Sequence, residues 1–284
     1  MKVTVIVPVF NQWHLLTGLI DSFSRQSGGG TRELVIVDNG SHEIPVLSES
    51  TNIIVTECKQ PGSYAARNAG LALVTRELIL FTDADCMPEN DWIENMLEAY
   101  ERSDKKTLLA GNVIIKSNSA QPSTAELYDI VAGLPQERYV AKGYAVTANL
   151  AVPRTVFDRI GLFDDGRFSG GDADFCQRAL KAGFKLKFVP DAIVYHPARR
   201  TWSEFATKVR RMKGGQIRAG KLSRRLKYVF ITLVPPIWRL WRTVKSDKLK
   251  SLERSRVVGF QLYLWIVELV EMLALLFGKN PERR

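Results

Sequence analysis

The chain has 284 residues, 45% hydrophobic and 25% charged, with no low-complexity run or internal repeat. This excludes a disordered or repeat-built protein and leaves room for one large domain plus an appendage. Three cysteines, Cys58, Cys86 and Cys176, are too few and too scattered for a disulfide framework or a Cys-based metal site, so a reducing, cytoplasmic setting is expected. The net charge of +10 is unevenly divided: residues 1–198 carry 19 Lys and Arg against 24 Asp and Glu, residues 199–284 carry 21 against 6. Two tasks follow from that asymmetry, with a division near residue 200 into a catalytic region, 1–200, and a basic, apolar and helical region, 201–284.

Val3 to Phe10 reads as a strand, too short and too strand-like for a secretory signal, and Trp13 to Arg25 as a helix. Strands are then expected at Glu33–Val37, Ile53–Thr56 and Leu78–Phe81, with a helix from about Tyr64 to Val74. Continuous β-branched and aromatic runs of this kind predict an α/β fold, a mostly parallel sheet with helices on both faces. In such sheets ligands sit beyond the carboxyl ends of the strands. The residues found there are Asn11 and Gln12, then Asp38-Asn39-Gly40-Ser41, then Thr82-Asp83-Ala84-Asp85.

Asp-x-Asp alone is a common solvated turn, but Asp83 and Asp85 directly follow a buried strand and project in roughly one direction. Their hard oxygens can share one cation, Mn2+ or Mg2+, or divide between cation and ribose. Gly62 to Gly70 opens a helix toward the same crevice, without the glycine spacing of a dinucleotide fingerprint or the ending of a phosphate-binding loop. Arg67 on it offers a fixed positive charge to diphosphate or base. Gly170-Gly171-Asp172-Ala-Asp174-Phe-Cys-Gln-Arg178 begins another helix. Asp174 and Arg178 stand four apart and can pair along it, while Asp172, after two glycines that admit a ligand, is the better reacting carboxylate. Lys185–Val189 and Ala192–Tyr195 read as short strands leading to His196.

These residues, from Val3 to about Pro197, resemble a family-2 glycosyltransferase of the GT-A, Rossmann-like fold. The marks are Val-Ile-Val-Pro-Val-Phe-Asn, Val-Asp-Asn-Gly-Ser, Ala-Ala-Arg-Asn-Ala-Gly, Phe-Thr-Asp-Ala-Asp-Cys-Met-Pro and Gly-Asp-Ala-Asp-Phe-Cys-Gln-Arg with the later His-Pro. The resemblance implies an inverting, metal-dependent transfer from a nucleotide-diphosphate sugar, a UDP-sugar foremost, in cell-surface polysaccharide or glycolipid synthesis. Pro8, Val9, Phe10 and Asn11 would form the nucleotide site with Asp38 on the base and Arg67 near base or diphosphate. Asp83 and Ala84 would meet the ribose side, and Asp85 and His196 the metal. Asp172 would be the general base, with Asn149 and Gly171 near the saccharide or lipid-linked acceptor. Asn39 stands where a second Asp is frequent, and Gly171 where an acidic residue often precedes the base. The Gln-x-x-Arg-Trp signature of processive relatives is absent near Gln216-Ile-Arg218, so one sugar per encounter is expected. A metal-dependent nucleotidyltransferase and a silent membrane-bound scaffold are the alternative readings.

In the tail, Arg199 to Lys227 holds eleven Lys and Arg with only Glu204 opposing them. Val229–Trp238 is interrupted by Pro235-Pro236 and spans only about half a bilayer. Val257–Phe277 is long enough to cross, yet Glu268 and Glu271 sit near its middle. Gln261, Glu268 and Glu271 share one helical face, which favours a helix lying in the interface or packed on another protein surface over a lone span. With Trp202, Trp238, Trp241 and Trp265 among the basic residues, an anionic membrane surface on the cytoplasmic side is the expected partner, and nucleic acid is not.

Overall fold

A computed structural model describes residues 2–28, 32–45, 51–167, 169–218 and 220–282. The chain forms two compact units, one of Met1–Ile114, Leu134–Asp165 and Gly171–His196, the other of Ile115–Gly133, Gly166–Gly170 and Pro197–Arg284. This differs from a single division near 200: residues 115–133 join the second unit. Ala125 and Leu127 pack there with Phe205, Phe260 and Val257, an association that a charge profile does not register.

The strands are β1 (Val3–Val9), β2 (Arg32–Asp38), β3 (Ile53–Glu57), β4 (Leu78–Thr82), β5 (Met87–Pro88), β6 (Thr107–Lys116), β7 (Asn149–Pro153) and β8 (Lys185–Pro197). The helices are α1 (Trp13–Ser24), α2 (Ser63–Ala72), α3 (Trp92–Glu101), α4 (Thr124–Ala132), α5 (Gln136–Val140), α6 (Arg154–Ile160), α7 (Gly171–Lys181), α8 (Trp202–Arg218), α9 (Leu222–Leu233), α10 (Ile237–Val244) and α11 (Ser251–Leu276).

One eight-stranded sheet runs in the order β3-β2-β1-β4-β7-β6-β8-β5. β1 is parallel to β2 and β4, and β2 to β3, as expected of the apolar runs. The other half is not parallel: β7 runs against β4 and β6, and β5 against β8. The sheet is therefore mixed, because a fully buried strand reads the same in either direction. The two short strands expected after Lys185 are one strand, β8, continuing through the exposed Pro190 and Asp191.

α1 buries Trp13, Leu16, Leu19 and Phe23, which recur at helical spacing. α2 lies closer to the sheet because its inward residues are small. A Cβ on Gly70 would stand 2.7 Å from Ile6 Cγ2 and 3.1 Å from Val37 Cγ2. Beneath it Ile6, Val35, Val37 and Phe81 continue into an aromatic group in which Phe163 lies 4.4 Å from Phe175, centroid to centroid.

In the second unit α11 packs against α4, α8, α9 and α10. Gly70→Ala is expected to destabilise the chain by about 1–3 kcal/mol through overpacking, read as a lower midpoint in chemical denaturation.

Candidate active site

Parallel pairing of β1, β2 and β4 brings their carboxyl ends side by side, with Val9 opposite Asp38. The loops beyond are tied together. Asn11, at a φ of 54°, donates its N–H to Ser41 Oγ at 2.8 Å and accepts from the His42 N–H at 3.0 Å. Asn tolerates this left-handed backbone better than most residues. Pro8 and Phe10 are half-buried, but the Val9 side chain points the other way along the strand and is 1% exposed. Of this expected nucleotide wall, Val9 therefore offers only backbone.

Asp38 accepts from Trp13 Nε1 at 2.8 Å on Oδ2, and from the Gly40 and Ser41 N–H groups at 2.9 Å each on Oδ1. Burial alone would raise its carboxyl, but hydrogen bonds from Ser41, Trp13 and Gly40 outweigh it and hold the group below the ordinary carboxylate range. One lone pair of Oδ2 remains for a ligand. Asn39 explains the departure from Asp at its position: its amide donates to the Cys58 and Gln60 carbonyls at 2.9 and 2.7 Å, while its oxygen accepts from the Gly62 N–H at 2.7 Å. A carboxylate could not donate to those carbonyls.

On α2, Arg67 is 2% exposed and its Nη2 lies 2.6 Å from Asp83 Oδ1. Its Nε and Nη1 are buried and meet no acceptor among the described residues. Buried unmet donors are rare, and these are an unfilled demand for acceptor oxygens beside Asp83. Beyond β4, Asp83, Asp85, Cys86 and His196 bring their ligand atoms within 4.8 Å of one another, and His196 Nε2 lies 3.8 Å from Asp85 Oδ2. Ala84 between them is buried and contributes no side-chain contact to a ligand. Burial, then the charges of Asp85 and Asp83, push the Cys86 thiol up, and the hard oxygen donors of the cluster are the two carboxylates, with the His196 imidazole beside them. That donor set fits Mn2+ or Mg2+.

Asp172 stands in the first turn of α7, half-buried. Tyr64 Oη donates to its Oδ1, and the Thr147 N–H and Oγ1 donate to its Oδ2 at 3.2 and 3.4 Å. Asp174 pairs with Arg178 at 3.0 Å, the structural role expected of it.

Two expected acceptor residues are placed differently. Asn149 is fully buried: its amide donates to the Asn112 and Ala192 carbonyls at 2.9 and 2.8 Å, and its oxygen accepts from Trp92 Nε1 at 2.8 Å. It stitches strands together and has no group left for a sugar. Gly171 is buried under Tyr64, whose ring would lie 2.6 Å from a Cβ there, so that space is filled and not open to an acceptor. Tyr64 and Trp13 are the site residues that the sequence did not single out; both precede recognisable motifs but act on carboxylates distant in the chain.

The sheet gathers Asp83, Asp85 and His196 at its strand ends and holds Asp172 apart, and the comparisons give the class, a glycosyltransferase of GT-A fold. Residues 4–164 match the family described as Glycosyl transferase family 2. The chain is 31% identical over 232 residues to glycosyltransferase AglE of Haloferax volcanii, covering 78% of this chain and 75% of that one. Its fold is that of the mannosyltransferase PcManGT from Pyrobaculum calidifontis in complex with GDP-Man and Mn2+, with a TM-score of 0.60 and 18% identity over 95% of this chain and 86% of that one. It also resembles Staphylococcus aureus TarS 1-349 in complex with UDP-GlcNAc, with a TM-score of 0.54 and 15% identity over 98% of this chain and 93% of that one. The chain belongs to glycosyl transferase family 2.

Asn149→Ala strands the indole N–H of Trp92 and two buried carbonyls. It is expected to cost about 3 kcal/mol or more in chemical denaturation, with donor affinity of the folded fraction unchanged.

Proposed function

We propose that the chain moves a single sugar, with inversion, from a nucleotide-diphosphate sugar, a UDP-sugar foremost, to a hydroxyl of a saccharide or lipid-linked acceptor in polysaccharide or glycolipid synthesis. The observation that carries this reading is the division of the site into two groups. Asp83, Asp85 and His196 are gathered at 4.8 Å or less, whereas Asp172 is held by Tyr64 and Thr147.

Asp85 and His196, with Asp83, would hold Mn2+ or Mg2+, which when bound offsets the negative charge on the departing diphosphate. Asp38, Pro8 and Phe10 would receive the base, and the free donors of Arg67 the diphosphate oxygens. Asp172 takes the proton of the acceptor hydroxyl as that oxygen attacks the anomeric carbon and the bond to diphosphate breaks. The electron pair leaves with the nucleoside diphosphate and the proton stays on the carboxyl. Oδ1 of Asp172 keeps a lone pair beyond the one used by Tyr64, whereas Oδ2 is taken up by the N–H and Oγ1 of Thr147. General-base assistance of this kind supplies about 10²- to 10⁴-fold.

The same reading places the second unit on the cytoplasmic face of a membrane, where the three free thiols also fit. α9, α10 and α11 expose Phe230, Val234, Ile237, Trp238, Ile266 and Phe277. Trp238 and Trp241 stack at 5.0 Å on α10, beside Arg239 and Arg242. Interleaved tryptophans and cations suit an interface with anionic headgroups. The polar stripe of α11, expected to disfavour a lone span, turns inward. Gln261 donates to Thr243 at 2.7 Å, Glu268 pairs with Lys213 at 3.1 Å and Arg239 at 3.3 Å, and Glu271 pairs with Lys279 at 2.6 Å.

Asp85→Ala is expected to abolish manganese-dependent binding of UDP-sugar or GDP-sugar in thermal-shift titrations. Asp172→Asn should keep that binding and lose nucleoside diphosphate release by about 10²-fold or more; unchanged release in both variants would defeat the assignment. In flotation with vesicles containing phosphatidylglycerol, the full chain should rise with the lipid. Trp238→Glu/Trp241→Glu should remain largely at the bottom with its helical circular dichroism intact, and equal flotation of the two would refute the membrane role.

A further inference from the structure

Tyr64 sits in the first turn of α2, 9% exposed, its ring stacked on Phe163 at 6.0 Å between centroids. Its hydroxyl is bound at both ends: it accepts from the Gly171 N–H at 2.9 Å and donates to Asp172 Oδ1. The contact joins residues 108 positions apart. Burial, and then the charge of Asp172, push the phenol up, so it stays protonated and a donor. The fit around the ring leaves no room for a side chain at position 171, where a Cβ would meet Tyr64 Cε2 and Cζ at 2.6 Å and Cδ2 at 2.9 Å. One turn further along α2, Arg67 packs over the same ring, 6.0 Å from its centroid, and reaches Asp83.

We infer that Tyr64 is the positioning residue for the Asp172 carboxylate, and that Gly171 is glycine to admit the phenol. The inference rests on Asp172 being the base. Oδ1 is fixed by the phenol and Oδ2 by two bonds from Thr147, so the carboxylate is held against rotation about its Cβ–Cγ bond, and the remaining lone pair of Oδ1 keeps one direction. Because α2 also carries Arg67, the base is registered against the donor-binding carboxylates through one rigid element. Positioning of this kind acts on the chemical step and leaves donor binding alone.

The test measures nucleoside diphosphate released from UDP-N-acetylglucosamine and from GDP-mannose with manganese, using the full chain. Tyr64→Phe keeps the ring, and losing one hydrogen bond to a charged group is expected to lower kcat about 10- to 100-fold with donor KM within about twofold. In the Asp172→Asn background the same change should cause no further loss, because its target is gone. Gly171→Ala, which crowds the ring and so displaces the phenol, should lower kcat with donor KM within about twofold; this second variant decides the matter if Tyr64→Phe melts early. A wild-type kcat in Tyr64→Phe and Gly171→Ala while Asp172→Asn is inactive would overturn the inference and leave the base assignment standing. So would losses that multiply in the Tyr64→Phe/Asp172→Asn chain. Full activity in Asp172→Asn, or no release by the wild type from either donor, would remove the base reading and the inference together.

Discussion

The buried Arg67–Asp83 pair is the interaction on which the geometry of the site depends. Arg67 enters from α2 and is almost wholly withdrawn from water, and Asp83 is the first carboxylate after β4. A guanidinium in that position requires a hydrogen-bonded anion, since an uncompensated buried charge is strongly destabilising. The pair therefore holds the start of the Asp83–Asp85 turn against the helix. Two further Arg67 nitrogens are buried and meet no acceptor among the described residues, which is rare in a folded interior. Tyr64, three residues earlier on the same helical face, extends that control to Asp172.

The sheet makes this economy possible. Parallel pairing of β1 with β2 and β4 sets three chain reversals next to each other, and the close seat of α2, permitted by Gly70, brings Tyr64 and Arg67 down to them. The antiparallel half has a different task. β8 delivers His196 to the Asp85 carboxylate, and the Asn149 amide fastens β7 to the neighbouring backbone at Asn112 and Ala192. The imidazole of the metal group thus comes from the far side of the sheet from Asp38, and its placement relies on a buried polar stitch that is itself fully satisfied.

What the sequence made legible was what is local. Residues 5–9, 34–37 and 78–81 are uninterrupted apolar runs within β1, β2 and β4, and a carboxylate that follows such a run lies at a strand end. The Asp83 and Asp85 cluster and the Asp174–Arg178 pair were readable for that reason. Strand direction was not, because β7 is buried on both faces and carries no directional mark. Asn149 was misplaced because an amide next to an apolar run looks the same whether it meets a sugar or three internal partners. Tyr64 escaped notice because its partner is 108 residues away, and Gly171 looked like an opening because glycine signals room without saying which group takes it. The helical face of α11 was readable from periodicity, but periodicity does not say which face is inside.

That orientation sets α11 apart from a lone membrane span. At 26 residues it extends about 39 Å at 1.5 Å per residue, enough to cross, and a lone helix would carry Glu268 and Glu271 into hydrocarbon. In the second unit those carboxylates are met by Lys213 from α8, Arg239 from α10 and Lys279 just beyond α11, while Trp265 gives its indole N–H to the Thr232 carbonyl at 2.9 Å. Both carboxylates are thus paired within the second unit, where α11 buries Val257, Phe260, Leu264, Met272 and Leu275, while Phe230, Ile237, Trp238 and Ile266 are exposed. Separating α11 from its partners would strip Glu268 of Lys213 and Arg239, so α11 is built as one member of a packed group of helices and not as a lone span.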